Sequence, residues 1–109
     1  MKIINLTPHK IFIYPNDDTT FITILPSGKV AKVEQRFVVV DKINSIPIFN
    51  RNWGNVIDLP EETDDTLYVV SHIVQEAVGK QRKDLLTPAD TIRDTNGAII
   101  GCKGLCNNF

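Results

Sequence analysis

The sequence predicts an α+β domain with a mainly antiparallel β-sheet core and one short α-helix. Three observations predict it. Short runs of β-branched and aromatic residues recur along the chain, separated by proline, glycine, asparagine and aspartate. Only the segment after Ser71 places apolar residues at helical spacing. Asn96-Gly97 lies between two apolar runs, the strongest short-range signal for an antiparallel hairpin.

The elements follow in order. Lys2 to Leu6 is short and apolar and is broken by Thr7-Pro8-His9, where proline removes a backbone donor. Lys10 to Tyr14 and Thr20 to Leu25 read as strands around the turn chemistry of Pro15-Asn16-Asp17-Asp18. Pro26-Ser27-Gly28 is another turn, followed by strands over Lys29 to Val33 and Arg36 to Asp41. Asn44-Ser45 ends the second of these. Ile46 to Phe49 and Asn55 to Leu59 are two further short strands, separated around Trp53-Gly54, and Pro60 to Asp65 is an acidic loop. Leu67 to Val70 is the last strand before the helix. Ser71 is its N-cap, Ile73, Val74, Ala77 and Val78 form one face, and Gly79 is its stop. A helix this short needs packing on the sheet to persist. Arg82 to Asp90, with Pro88 inside it, reads as an ordered loop. Thr91 to Asp94 and Ala98 to Gly101 flank the Asn96-Gly97 turn, and the tail from Cys106 to Phe109 frays.

A chain of 109 residues makes one domain, 1–109, and buries roughly 65% of its unfolded surface. The apolar fraction of 42% and charged fraction of 23% are those of a globular protein. Twelve basic residues against thirteen acidic ones argue against a partner that is long nucleic acid. Cys102 and Cys106 make neither a disulfide framework nor a four-ligand zinc site and read as reduced thiols. No stretch approaches the ~20 apolar residues of a membrane span, and the first residues lack a signal peptide's apolar run. The expectation is a soluble cytoplasmic protein with no membrane partner and no cofactor.

The candidate chemistry is sparse. Ser71, His72 and Asp84 suggest a nucleophilic triad only on paper, because adjacent residues at a helix start diverge. His9, Cys102 and Cys106 lack metal-ligand spacing. Asp17-Asp18 and the acidic residues from Glu61 to Asp65 read as solvated loops. The expectation is therefore no catalytic set and no metal. More informative are Arg82, close to Asp84, and Arg93, beside Asp94. Arginine recognises phosphate through two parallel hydrogen bonds, and the helix start at Ser71 adds backbone N–H groups, so together they can hold a diphosphate or cyclic nucleotide. Equally, Arg82–Asp84 and Arg93–Asp94 can be ion pairs tying loop to sheet.

Several blocks carry a resemblance: Asn5-Leu6-Thr7-Pro8-His9, Pro26-Ser27-Gly28 with Val30 to Val33, Tyr68 to Ser71, Arg82 with Asp84-Leu85, and Arg93-Asp94 with Gly97 and Ile99 to Cys102. In that order, spanning nearly the whole chain, they resemble a phage and prophage family of small proteins that includes the Thoeris anti-defence signal sponges. The resemblance implies sequestration without cleavage. The ligands it implies are cyclic ADP-ribose isomers, and cyclic oligonucleotides at a separate site of an oligomer. Chemistry and the shared blocks together nominate Arg82, Arg93, Asp94, Ser71, Thr7 and His9 as ligand-binding residues. Lys32 stands where the pattern expects arginine, which removes bidentate contact at that position.

The reading is thus a non-catalytic binder of a cyclic nucleotide signal that forms a homo-oligomer, since a small sheet and short helix leave an apolar face to cover. Two other classes remain: a phage protein that inhibits or bridges a host protein through a patch of Phe49, Trp53 and Phe109, and a small nucleotide hydrolase.

Overall fold

A computed structural model describes residues 1–16 and 20–107. Six strands form one sheet in the order β1 (Lys2–Asn5), β6 (Thr66–Val69), β7 (Leu85–Arg93), β8 (Ile99–Cys106), β2 (Ile11–Ile13) and β3 (Ile22–Ile24). β1–β6, β6–β7 and β8–β2 pair parallel, whereas β7–β8 and β2–β3 pair antiparallel. A parallel bridge from Asn5 to Pro26, just past β3, joins the two ends of this order. There the Ser27 N–H donates to the Asn5 carbonyl at 3.0 Å. The strand order is therefore cyclic, and the sheet closes on itself.

Alternation along β6 divides the core. Val69 faces the interior of the closed sheet with Ile11, Ile13 and Cys102, while Tyr68 and Val70 face outward with Leu6, Ala31, Val74 and Leu85. Val69, Val70 and Leu85 have no exposed surface, so each contributes about 1.5–3 kcal/mol of burial. Gly101 marks a close approach on the outer face of the closed sheet, opposite Cys102. A Cβ there would stand 2.8 Å from the Phe12 carbonyl oxygen and 2.7 Å from the Tyr14 ring.

The helix α1 (His72–Val78) covers the outward cluster. The Ser71 hydroxyl caps it by accepting the Val74 N–H at 3.3 Å, and Gly79 ends it at φ 71°. Its buried Gln75 donates from one amide nitrogen to the Leu85 carbonyl at 3.1 Å and the Cys106 carbonyl at 3.2 Å, which fastens the helix to β7 and β8. A 3-10 turn over Gly79–Gln81 follows.

β4 (Lys32–Ile43) and β5 (Ile46–Ile57) form a separate antiparallel hairpin. Its turn residues Asn44 and Ser45 have φ 51° and 65°, the two positive values of a type I′ turn. The fold is α+β, with antiparallel ladders carrying most of the pairing and one short α-helix on the sheet. No helix among the described residues is long and apolar enough to cross a membrane.

Two stretches differ from the sequence reading. The four short strands expected between Lys29 and Leu59 are two long ones. Polar residues at Glu34-Gln35 and from Asn50 to Asn55 look like breaks only if a strand must have a buried face, and this hairpin has little. Bulges between Val33 and Gln35 and between Val39 and Asp41 absorb the misfit. The expected loop from Arg82 to Asp90 is largely strand β7. Pro88 is tolerated because β6 pairs with β7 only at Leu85 and Leu86, so at Pro88 that side of β7 needs no N–H donor.

Candidate functional site

Three of the segments singled out in the sequence lie side by side. The Leu6 N–H donates to the Val69 carbonyl at 2.8 Å, and the Ala31 N–H donates to the Leu6 carbonyl at 3.0 Å. The start of β1's exit, the root of β4 and the start of α1 therefore share one wall. Between them lies a cleft of about 260 Å³ with Leu6, Ala31, Val33 and Val74 among its apolar lining and Thr7, Lys32, Gln35 and Ser71 as its polar lining residues. Among the described residues no histidine, carboxylate or thiol lines it, and Lys32 is the one charged residue of the lining. Lys32 is exposed, and no ion pair among the described residues engages it.

Thr7 is held by its own block. Asn5, 1% exposed, accepts the Thr7 N–H at 2.9 Å and the Thr7 hydroxyl at 2.7 Å on its Oδ1. Its Nδ2 donates to the His9 carbonyl at 2.8 Å and the Ile24 carbonyl at 3.3 Å. The Asn-Leu-Thr-Pro-His motif is thus a turn built around a buried asparagine. That turn sets Thr7 at the cleft and leaves the exposed His9 outside the lining.

Arg82 and Arg93 sit at opposite ends of β7, with roughly 25 Å of extended strand between them, so one small ligand does not touch both. Arg82 is committed to its own loop. Its Nε donates to Asp84 Oδ1 at 2.8 Å, and one terminal nitrogen donates to Asp84 Oδ2 at 2.7 Å and to the Pro60 carbonyl at 2.9 Å. Asp84 is 3% exposed. The hydrogen bonds it donates to Asp84 raise the Arg82 guanidinium above its ordinary range, against the opposing effect of burial. Arg93 is exposed and donates to the Gly97 carbonyl at 2.7 Å. Asp94 organises the turn, its Oδ1 accepting the N–H groups of Asn96 at 2.8 Å and Ala98 at 3.0 Å. Of the six nominated residues, the structure brings Thr7 and Ser71 together at the cleft and leaves His9, Arg82, Arg93 and Asp94 elsewhere.

Leu6, Val30, Ala31, Gln35, Ile73 and Val74 line the cleft without having been nominated. The only signal for them was their neighbourhood, since the Val30 to Val33 and Tyr68 to Ser71 blocks each contribute a wall. His72 is exposed and Asp84 is committed to Arg82, so the paper triad is not assembled. No three histidine, cysteine, aspartate or glutamate residues among those described are grouped to hold a metal. Cys102 is buried and Cys106 exposed, both free thiols. Phe49 and Trp53 lie on one face of the hairpin with the Arg51 guanidinium over Trp53 at 5.9 Å. Phe109 and the Asp17-Asp18 pair lie outside the described residues. Comparison with protein-family models, with curated proteins and with solved structures found no match.

Proposed function

We propose that this protein binds a small phosphate-bearing ligand of the cyclic-nucleotide class and holds it uncleaved, as a phage anti-defence sponge in the host cytoplasm. The observation behind this is the cleft, whose walls are mostly apolar and whose lining residues include Lys32, Thr7 and Ser71. An apolar wall accepts a base, and the Lys32 ammonium with the Ser71 hydroxyl accepts a phosphate. Lys32 meets the phosphate as a point charge where arginine would grip it with a fork. The cleft is just below the roughly 300–1,000 Å³ of small-molecule sites, which suits one nucleoside-sized portion of a ligand. Among the described residues the lining holds no histidine, carboxylate or thiol, which favours binding over cleavage. The resemblance to the anti-defence sponges selects cyclic ADP-ribose and its linkage isomers as the first ligands to try.

Calorimetric titration of the full chain with these isomers, followed by denaturation and chromatography of the recovered nucleotide, tests the reading. We expect saturable binding and intact nucleotide. Lys32→Ala removes a charge-assisted contact of about 1.5–3 kcal/mol, a ten- to hundredfold loss of affinity, at unchanged melting temperature. No heat with any isomer overturns the reading, and a cleaved product makes the protein a hydrolase. The alternative, docking on a host protein through the face of Phe49 and Trp53, needs that face free in the isolated protein.

A further inference from the structure

The two faces of the β4–β5 hairpin differ in charge. β5 pairs without interruption from Pro47 to Trp53, so Phe49, Arg51 and Trp53 share one face, with Phe37 and Lys42 among their cross-strand partners on it. The bulge between Val39 and Asp41 decides which charges join them. It shifts the register by one residue, which turns Asp41 to the far face beside Ile48 and brings Lys42 round beside Pro47. Regular alternation from Phe37 and Val39 would have set the Asp41 carboxylate beside the rings. Glu34 also stands on the far face, because a Cβ on Gly54 would meet its Cβ at 2.9 Å. The near face therefore holds two cations, Arg51 and Lys42, and neither of the hairpin's two acids. Phe37 and Phe49 are more than half exposed there and meet edge to face at 6.0 Å. The exposed Arg51 guanidinium lies over the Phe37 ring at 5.7 Å and the Trp53 ring at 5.9 Å. No ion pair among the described residues engages Arg51 or Lys42.

We propose that this face binds a short unpaired stretch of nucleic acid, with bases against the Phe37, Phe49 and Trp53 rings and phosphates on Arg51 and Lys42. Rings set among cations hold single strands without reading their sequence, since every base has a flat face to stack. An arginine steadied on two rings keeps its donors for a phosphate. The size of the face selects the occupant. Strands of 12 residues are about 40 Å long and a pair is about 10 Å wide, which gives about 400 Å². That is half of what a folded protein removes from each side of a standard interface, about 800 Å². A single strand needs only a narrow track. Two cations are too few to hold a duplex by its phosphates, in keeping with the near balance of charge over the whole chain. The site is separate from the cleft and does not depend on the cleft's ligand.

Anisotropy of a fluorescein-labelled oligothymidine of about 12 nucleotides, titrated with the full chain, tests the proposal. Saturable binding is expected, with quenching of Trp53, the one tryptophan of the chain. Affinity falls with salt at a log–log slope near −1.4, about 0.7 for each of two cations. Phe49→Ala weakens binding about five- to a hundredfold. Arg51→Ala weakens it too and brings the slope to about −0.7. Both residues lie outside the core clusters, so circular dichroism stays unchanged. Ile48→Ala on the far face and Lys32→Ala in the cleft leave binding as it is, and the oligothymidine annealed to its complement binds more weakly. No anisotropy change at roughly 0.1 mM protein, the weak limit of non-specific binding, overturns the proposal. So does a duplex bound as tightly as the single strand, or a Phe49→Ala protein that binds like wild type. Oligoglutamate that competes as well as unlabelled oligothymidine assigns the face to an acidic protein instead. A loss in Lys32→Ala equal to that in Arg51→Ala moves the strand to the cleft and likewise overturns the proposal.

Discussion

Replacing Arg82 separates a structural cation from a ligand-binding one. In Arg82→Ala the Asp84 carboxylate, 3% exposed, loses two hydrogen bonds of 2.8 and 2.7 Å, and the Pro60 carbonyl loses its donor. Removing one member of a buried pair leaves an uncompensated charge and costs about 3–5 kcal/mol. At roughly 4 °C per kcal/mol for a chain of this size, the melting temperature falls by about 12–20 °C. Arg82→Lys keeps the charge but not the two-point geometry and recovers part of the loss. Arg82→Met with Asp84→Leu removes both charges and returns most of the stability, because well-packed apolar residues replace such a pair at little cost. The pH dependence has a definite sign. Hydrogen bonding to Asp84 raises the guanidinium's value in the folded state. Stability from a raised group is complete below its unfolded value and lost only as pH climbs through the folded one. For arginine that window lies beyond ordinary alkaline conditions, so the contribution is flat from neutral to mildly alkaline pH. Melts of the four proteins by circular dichroism, with cyclic ADP-ribose titrations at 15 °C below melting, give the comparison. An Arg82→Ala protein that melts within about 2 °C of wild type yet loses ligand affinity refutes the structural assignment.

Three further outcomes follow from local geometry, each checked by thermal or denaturant melts. Asn5→Ala strips the partners from Thr7, His9 and Ile24 at a buried position and costs about 2–3 kcal/mol. Gly101→Ala drives a Cβ into the Phe12 carbonyl and the Tyr14 ring and costs about 1–3 kcal/mol, whereas Gly104→Ala, with open space around it, stays within about 1 kcal/mol. Ser71→Ala costs about 1 kcal/mol through the lost cap. A larger fall in nucleotide affinity than in stability would give the hydroxyl a second role.

What the sequence by itself determined is what neighbouring residues decide among themselves. Ser71 caps the helix and Gly79 stops it because a hydroxyl reaches an N–H three residues on and glycine adopts positive φ. Asn44-Ser45 and Asn96-Gly97 turn the chain for the same local reasons, and the strands from Lys2, Lys10, Thr20 and Leu67 stand close to where apolar alternation put them. Tertiary structure alone decided everything that depends on distant partners. Pro88 sits in a strand because β6 has already ended beside it, which no window around Pro88 reveals. The hairpin runs unbroken through polar residues because its two strands satisfy each other's backbone without a buried face to enforce a pattern. Arg82 went to Asp84 and the Pro60 carbonyl, although its chemistry suits phosphate equally well. Thr7, Lys32 and Ser71 met at one cleft because closing the sheet through Asn5 and Pro26 joins segments far apart in the chain. Local propensity has no term for such closure; it is set by which apolar faces can be buried together once the chain is folded.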